Sequence, residues 1–123
     1  MFLGSRTVIY PVGDLAQAKA WYTALLGHAP YFDEPFYIGY TVGGFELGLA
    51  PAETTAASHG GPVAYWGVLD IDAAFQRLRE HGADERAPIQ EVGEGIRTAT
   101  VTDPFGNALG LIQNPHFAVA DVR

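Results

Sequence analysis

Val101-Thr-Asp-Pro-Phe-Gly-Asn-Ala-Leu-Gly-Leu-Ile-Gln-Asn-Pro115 is the stretch whose reading decides the fold. Upstream of it Thr98, Thr100 and Thr102 alternate with Ala99 and Val101, a period of two that predicts a strand. Asp103-Pro-Phe-Gly-Asn107 then turns the chain: Pro104 presets φ, and Gly106 and Asn107 tolerate the positive φ that closes such a turn. Leu109 and Leu111 continue on one face of a second strand, with Ala108, Gly110 and Ile112 on the other. The result is a β-hairpin with one packed face. Its second face carries threonines and small residues, which leave room for something to lie on it.

The same ending occurs earlier in the chain. Glu46-Leu47-Gly48-Leu49 matches Ala108-Leu109-Gly110-Leu111, and it closes a hairpin centred on Gly43-Gly44, a strong two-residue turn signal. Pairing outward from that turn sets Val42 against Phe45, Thr41 against Glu46, Tyr40 against Leu47 and Gly39 against Gly48. Ile38, Tyr40, Val42, Phe45, Leu47 and Leu49 then share a core face, while Tyr37, Gly39, Thr41, Glu46 and Gly48 share the other. A short extended segment, Pro30 to Pro35, precedes the hairpin.

Residues 6–12 alternate as a strand, with Val8, Tyr10 and Val12 inward and Thr7, Ile9 and Pro11 opposite; Pro11 marks an edge. Asp14 caps a helix whose apolar positions are Leu15, Ala18, Tyr22, Leu25 and Leu26, with Lys19 and Thr23 toward solvent, and Gly27 stops it. Val68, Asp70, Ile71, Ala74 and Leu78 repeat Val12, Asp14, Leu15, Ala18 and Tyr22 at a constant offset of 56. A second helix is expected over 71–81, burying Ile71, Ala74, Phe75 and Leu78, with strands near 85–92, 96–102 and 108–113. Each half reads β-α-β-β-β, and an internal repeat settles architecture before detail. The expectation is an α+β fold in one domain, 1–123, of two tandem βαβββ modules (about 1–50 and 62–115) joined by a Pro/Gly-rich linker, 51–61.

Composition narrows the function. The chain has 123 residues and a formal net charge of −7, from seven basic and fourteen acidic residues. Nucleic acid needs a basic surface and is not expected as a partner. With no cysteine there is neither disulfide, thiolate ligand nor cysteine nucleophile. No apolar run approaches the ~20 residues of a membrane helix, and no signal-peptide pattern stands at the N-terminus, so a cytoplasmic protein is expected. No phosphate loop, dinucleotide fingerprint or nucleophile elbow occurs.

Asp103-Pro-Phe-Gly-Asn107 with its short apolar strand, together with Val12-Gly-Asp-Leu15, Trp21-Tyr22 and Leu26-Gly27, resembles the vicinal oxygen chelate superfamily, which includes glyoxalase I, extradiol dioxygenases, fosfomycin-resistance transferases and bleomycin-binding proteins. The resemblance covers nearly the whole chain. It implies paired βαβββ modules forming a cleft with the helices on the convex side, and a homodimer. It also implies four metal ligands of His, Glu or Gln type on the cleft strands. Those positions fall here on Thr7, Val63, Gly110 and either Glu46 or Gly48, so at best one ligand survives, short of the three a catalytic ion needs. His28 and His81 lie at helix ends, His59 in the linker and His116 near the tail, and none is expected to bind metal.

What remains is a cleft lined by Thr7, Ile9, Tyr37, Thr41, Glu46, Val63, Tyr65, Thr98, Thr100 and Ile112, with Gly39, Gly48, Ala108 and Gly110 supplying space. Apolar and aromatic walls with a few convergent polar groups suit a small molecule. Tyr37 and Tyr65 can stack on a flat ligand, and Glu46 is the single carboxylate among these residues. Trp66 is expected in the core, and Arg97 can take either face. The leading expectation is a metal- and cofactor-independent binding protein for a small aromatic or cationic molecule. The alternative is a lyase, isomerase or dioxygenase with an atypical metal site or with Glu46 as general base.

Overall fold

Two aspartates start both helices. Asp14 accepts a hydrogen bond from the Gln17 backbone N–H at 3.1 Å, and Asp70 accepts one from Ala73 at 3.1 Å. Each satisfies a backbone donor that a first helical turn leaves unpaired. The helices they open are α1 (Leu15–Leu26) and α2 (Ile71–Glu80) in a computed structural model that describes residues 1, 3–52 and 63–116. Gly27, at φ +80°, ends α1 and donates to the Thr23 carbonyl at 2.9 Å; a left-handed residue is the ordinary helix stop.

The chain divides into two compact units, Gly4–Gly61 and Pro62–Arg123 with Met1–Leu3. In the first, β1 (Thr7–Val12), β2 (Phe32–Glu34), β3 (Tyr37–Val42) and β4 (Phe45–Pro51) form a sheet in the order β1-β4-β3-β2, with β1 parallel to β4 and the other pairs antiparallel. In the second, β5 (Tyr65–Gly67), β6 (Asp84–Gly93), β7 (Ile96–Thr102) and β8 (Ala108–Gln113) repeat that order as β5-β8-β7-β6. Each unit is thus one βαβββ module, as the repeat predicts.

The register around Gly43-Gly44 is the expected one, with Thr41 against Glu46 and Gly39 against Gly48, and both turn glycines have positive φ. Tyr10, Val12, Ile38, Tyr40, Leu47 and Leu49 face α1 and are buried with Ala18 and Tyr22. Tyr10 and Tyr22 stack at 6.2 Å. Thr23 departs from expectation. Its hydroxyl lies 2.8 Å from that of Tyr40, which also donates to the Lys19 carbonyl at 3.0 Å. Burying a phenol requires such partners, and the same burial raises the Tyr40 pKa. Lys19 likewise forms an ion pair with Asp33.

In the second unit Ile71, Leu78, Ala83, Ala99, Val101, Leu109 and Leu111 make the core. Arg97 takes the helix side, in a two-pronged pair with Asp72 at 2.9 and 3.2 Å. Gln113 accepts from the Ile71 N–H at 2.9 Å, tying the start of α2 to β8. Trp66 stands opposite Leu111 on this side but is only half-buried.

The Asp103–Asn107 turn closes differently from its reading. Gly106 alone takes positive φ (+88°), and Asn107 does not. Asp103, 3% exposed, accepts from the backbone N–H groups of Phe105 (2.9 Å) and Asn107 (2.8 Å). The motif is therefore a side-chain-braced turn. Among the described residues no helix is long and apolar enough to cross a membrane.

Candidate functional site

Alternation along β4 sends Leu47 and Leu49 to the helix and Glu46 and Gly48 to the opposite face of the first sheet. There Glu46 lies in register between Thr7 of β1 and Thr41 of β3, and Gly48 between Ile9 and Gly39. Thr7, Ile9, Tyr37, Thr41 and Glu46 thus share the helix-distal face of one sheet, as expected.

The Glu46 carboxylate is gripped from two sides. Tyr37 donates its hydroxyl to Oε2 at 2.5 Å, and Tyr31 donates to Oε1. Hydrogen bonds to an ionised acceptor are shorter and stronger than neutral ones. The glycines make the space: a Cβ on Gly48 would lie 2.0 Å from the Tyr37 hydroxyl oxygen and 2.6 Å from its Cζ, and one on Gly39 would lie 3.1 Å from Oε1 of Glu46. Tyr37 therefore lies directly against the Gly48 backbone, and this burial raises its pKa. Tyr31 is 64% exposed. It enters this face because its N–H donates to the Gly39 carbonyl at 3.0 Å, just ahead of β2. Phe32 packs against Tyr37 and Phe36, with ring centroids 6.0 Å apart in each pair. Tyr31, Phe32 and Phe36 were not legible as site residues. Their only signal is that aromatics crowd the short Pro30–Pro35 segment, and the β2–β3 register is needed to place them.

The second sheet gathers Tyr65, Thr98, Thr100, Gly110 and Ile112 on its helix-distal face, with Tyr65 opposite Gly110 and Thr100 opposite the same glycine. The Tyr65 ring, half exposed, covers Gly110: a Cβ there would meet its Cδ1 at 2.6 Å and the Ala64 carbonyl at 2.7 Å. Thr100 is buried, Thr98 half-buried. Val63 precedes β5 and is not a strand residue.

Register also tests the implied metal positions. Thr7 pairs with Glu46, so Glu46 rather than Gly48 belongs with Thr7, whereas Gly110 pairs with Tyr65. Neither row offers the imidazole and carboxylate set a divalent ion requires. Among the described residues no group of three or more His, Cys, Asp or Glu side chains comes together. His28 lies against the Ala29 carbonyl at 3.3 Å and His81 against that of Arg77 at 2.9 Å. His116 is exposed and its ring lies 2.8 Å from the Glu94 carbonyl, while His59 lies outside the described residues. Among the described residues the donor set does not fit a catalytic metal.

The family model described as Glyoxalase/Bleomycin resistance protein/Dioxygenase superfamily matches residues 5–111. The chain belongs to that superfamily. Two mycobacterial proteins, from Mycobacterium bovis and Mycobacterium tuberculosis and each named "Putative glyoxylase CFP32", are 31% identical to it over 120 residues, covering 89% of this chain and 46% of theirs. The chain thus spans about half the length of these curated relatives. Among solved structures, a glyoxalase-related enzyme from Fulvimarina pelagi superposes with a TM-score of 0.76 at 21% identity, covering 98% of this chain and 95% of its own. Lactoylglutathione lyase from Agrobacterium tumefaciens gives 0.73 at 17% identity, covering 93% and 97%. At such identities these likenesses show a shared fold alone.

Proposed function

We propose that this superfamily member is a metal-independent binding protein for a small aromatic or cationic molecule, held on the helix-distal face of the first sheet with Glu46 as its anchor. The observation that carries this reading is the Glu46 carboxylate, braced by Tyr31 and Tyr37 on a face that Gly39 and Gly48 keep low. A fixed carboxylate beside aromatic rings attracts a cation both by charge and through the rings' negative faces. The net charge of −7 draws such a ligand in from a distance. In this reading the protein acts as a cytoplasmic homodimer without a cofactor.

The test is calorimetric titration of wild type and Glu46→Gln with aromatic amines, before and after treatment with a chelator. Binding that survives chelation and falls at least tenfold in Glu46→Gln is expected, because an anion–cation contact is replaced by a neutral amide. Affinity that vanishes on chelation sinks the metal-independent reading. The name of the mycobacterial relatives favours a second reading, a glyoxalase-type lyase with Glu46 as general base. That reading requires turnover of an α-keto aldehyde–thiol adduct that Glu46→Gln abolishes, whereas the binding reading expects none.

A further inference from the structure

The two oxygens of Glu46 are not equivalent, and the difference selects among cations. Oε2 is held by Tyr37, whose hydroxyl and ring lie so close over Gly48 that even a methyl group has no room there. Tyr37 also packs edge-on against Phe32. Tyr37 therefore occupies one side of Oε2 with a packed, partly buried ring. Oε1 is held by Tyr31, which is 64% exposed and precedes β2, so its hydroxyl can exchange one hydrogen bond for water by a side-chain rotation.

Resting on the binding reading above, we infer that the ligand is a protonated amine that docks at Oε1 of Glu46 in place of the Tyr31 hydroxyl, while Tyr37 stays and positions the carboxylate. The class follows from the geometry. One exchangeable oxygen suits the compact point charge of an ammonium, which needs a single acceptor and rotates its donors to fit. A guanidinium or amidinium gains its advantage from two parallel bonds to both carboxylate oxygens, and at Oε2 it must compete with the packed Tyr37 hydroxyl. A quaternary ammonium has no N–H to replace the displaced phenol and keeps only the charge and cation–ring attractions. The exposed rings of Tyr31 and Phe36 and the half-exposed Phe32 then meet the apolar part of the amine.

Three probes decide the matter: benzylammonium, benzamidinium and benzyltrimethylammonium, titrated calorimetrically at neutral pH into wild type, Tyr31→Phe, Tyr37→Phe and Glu46→Gln. Benzylammonium is expected to bind best. Tyr31→Phe keeps the ring and removes the competing donor, so its affinity for benzylammonium rises by roughly three- to tenfold, the worth of a partly solvated hydrogen bond to a charged group. Tyr37→Phe frees Oε2 and turns the preference toward benzamidinium, a change of selectivity that loss of packing alone does not produce. Benzamidinium binding wild type as tightly as benzylammonium, or a Tyr31→Phe variant no tighter than wild type, overturns the inference while leaving Glu46 as an anchor. Probes that bind Glu46→Gln as well as wild type, or that bind no variant, overturn the underlying reading as well.

Discussion

Gly48→Ala tests the arrangement around Glu46 without any ligand. The new Cβ would stand 2.0 Å from the Tyr37 hydroxyl oxygen, 2.6 Å from Cζ and 2.9 Å from Cε1, where carbon atoms prefer about 3.5–4.0 Å. Tyr37 must swing away by more than an ångström. It then loses its bond to Oε2, worth about 1–2 kcal/mol for a half-exposed donor to a charged acceptor, and some of its packing against the sheet, about 1 kcal/mol more. The expected cost is about 2–3 kcal/mol, or roughly 10 °C in melting temperature for a chain of this size. In a Tyr37→Ala background the obstacle is absent. Gly48 has no positive φ, so alanine there only restricts the unfolded chain and is neutral or stabilising by about 0.5 kcal/mol. The double-mutant cycle, read by urea unfolding of all four proteins, should give a coupling of about 2–3 kcal/mol. If Gly48→Ala costs the same with and without Tyr37, the ring does not sit on Gly48 and the asymmetry of the Glu46 oxygens falls with it.

Asp103→Ala strips the acceptor from two backbone N–H groups, one of them at buried Asn107. A loss of about 2–4 kcal/mol is expected in thermal or urea unfolding, with a smaller loss for Asp103→Asn, which keeps an acceptor oxygen; an alanine variant that melts like wild type would show that the turn closes without its brace. The Arg97 guanidinium lowers the Asp72 pKa, chiefly by its hydrogen bonds. A carboxyl lowered on folding contributes stability above its ordinary pKa, and that contribution is lost as pH falls through the lowered value. Asp72→Asn should therefore be less stable than wild type near neutrality and converge with it in strong acid; a difference that persists unchanged into acid would mean the pair does not couple.

The elements that could be read were those whose signal is local. Asp14 and Asp70 announce both helices because a cap needs only the three residues after it, and Gly43-Gly44 fixed a register because a two-residue turn leaves no freedom in pairing. Thr23 was misread because its partner, Tyr40, is seventeen residues away. Thr23 is polar and sits on an amphipathic helix, so sequence alone sends it to water. Tyr31 escaped notice for a related reason. It lies outside any strand, and only the β2–β3 pairing, three residues long, brings its hydroxyl to Glu46. Asn107 shows that tolerance is not use: it can adopt positive φ, yet Gly106 alone does so while the Asp103 carboxylate braces the turn.

The repeat explains why so much of the site is shared between the halves and why its charge is not. The helix caps are 56 residues apart, Asp14 to Asp70, but the glycines of the final strands, Gly48 and Gly110, are 62 apart. Five of the extra six residues enter between the helix and the last hairpin, where ten-residue β6 replaces three-residue β2, and the sixth lengthens the hairpin turn. That longer strand carries register shifts and no counterpart of Tyr31 placed by a short edge strand. Both glycines are covered by a tyrosine, yet Tyr37 reaches Gly48 from the antiparallel neighbour β3 and Tyr65 reaches Gly110 from the parallel neighbour β5. Glu46 has Ala108 as its equivalent, so the second ring has no carboxylate to brace. The duplicated architecture thus gives each sheet a recessed glycine and an aromatic cover. The glutamate and the short edge strand that places Tyr31 together brace a carboxylate on the first sheet, and it is there that the proposed ligand selection by charge is to be tested.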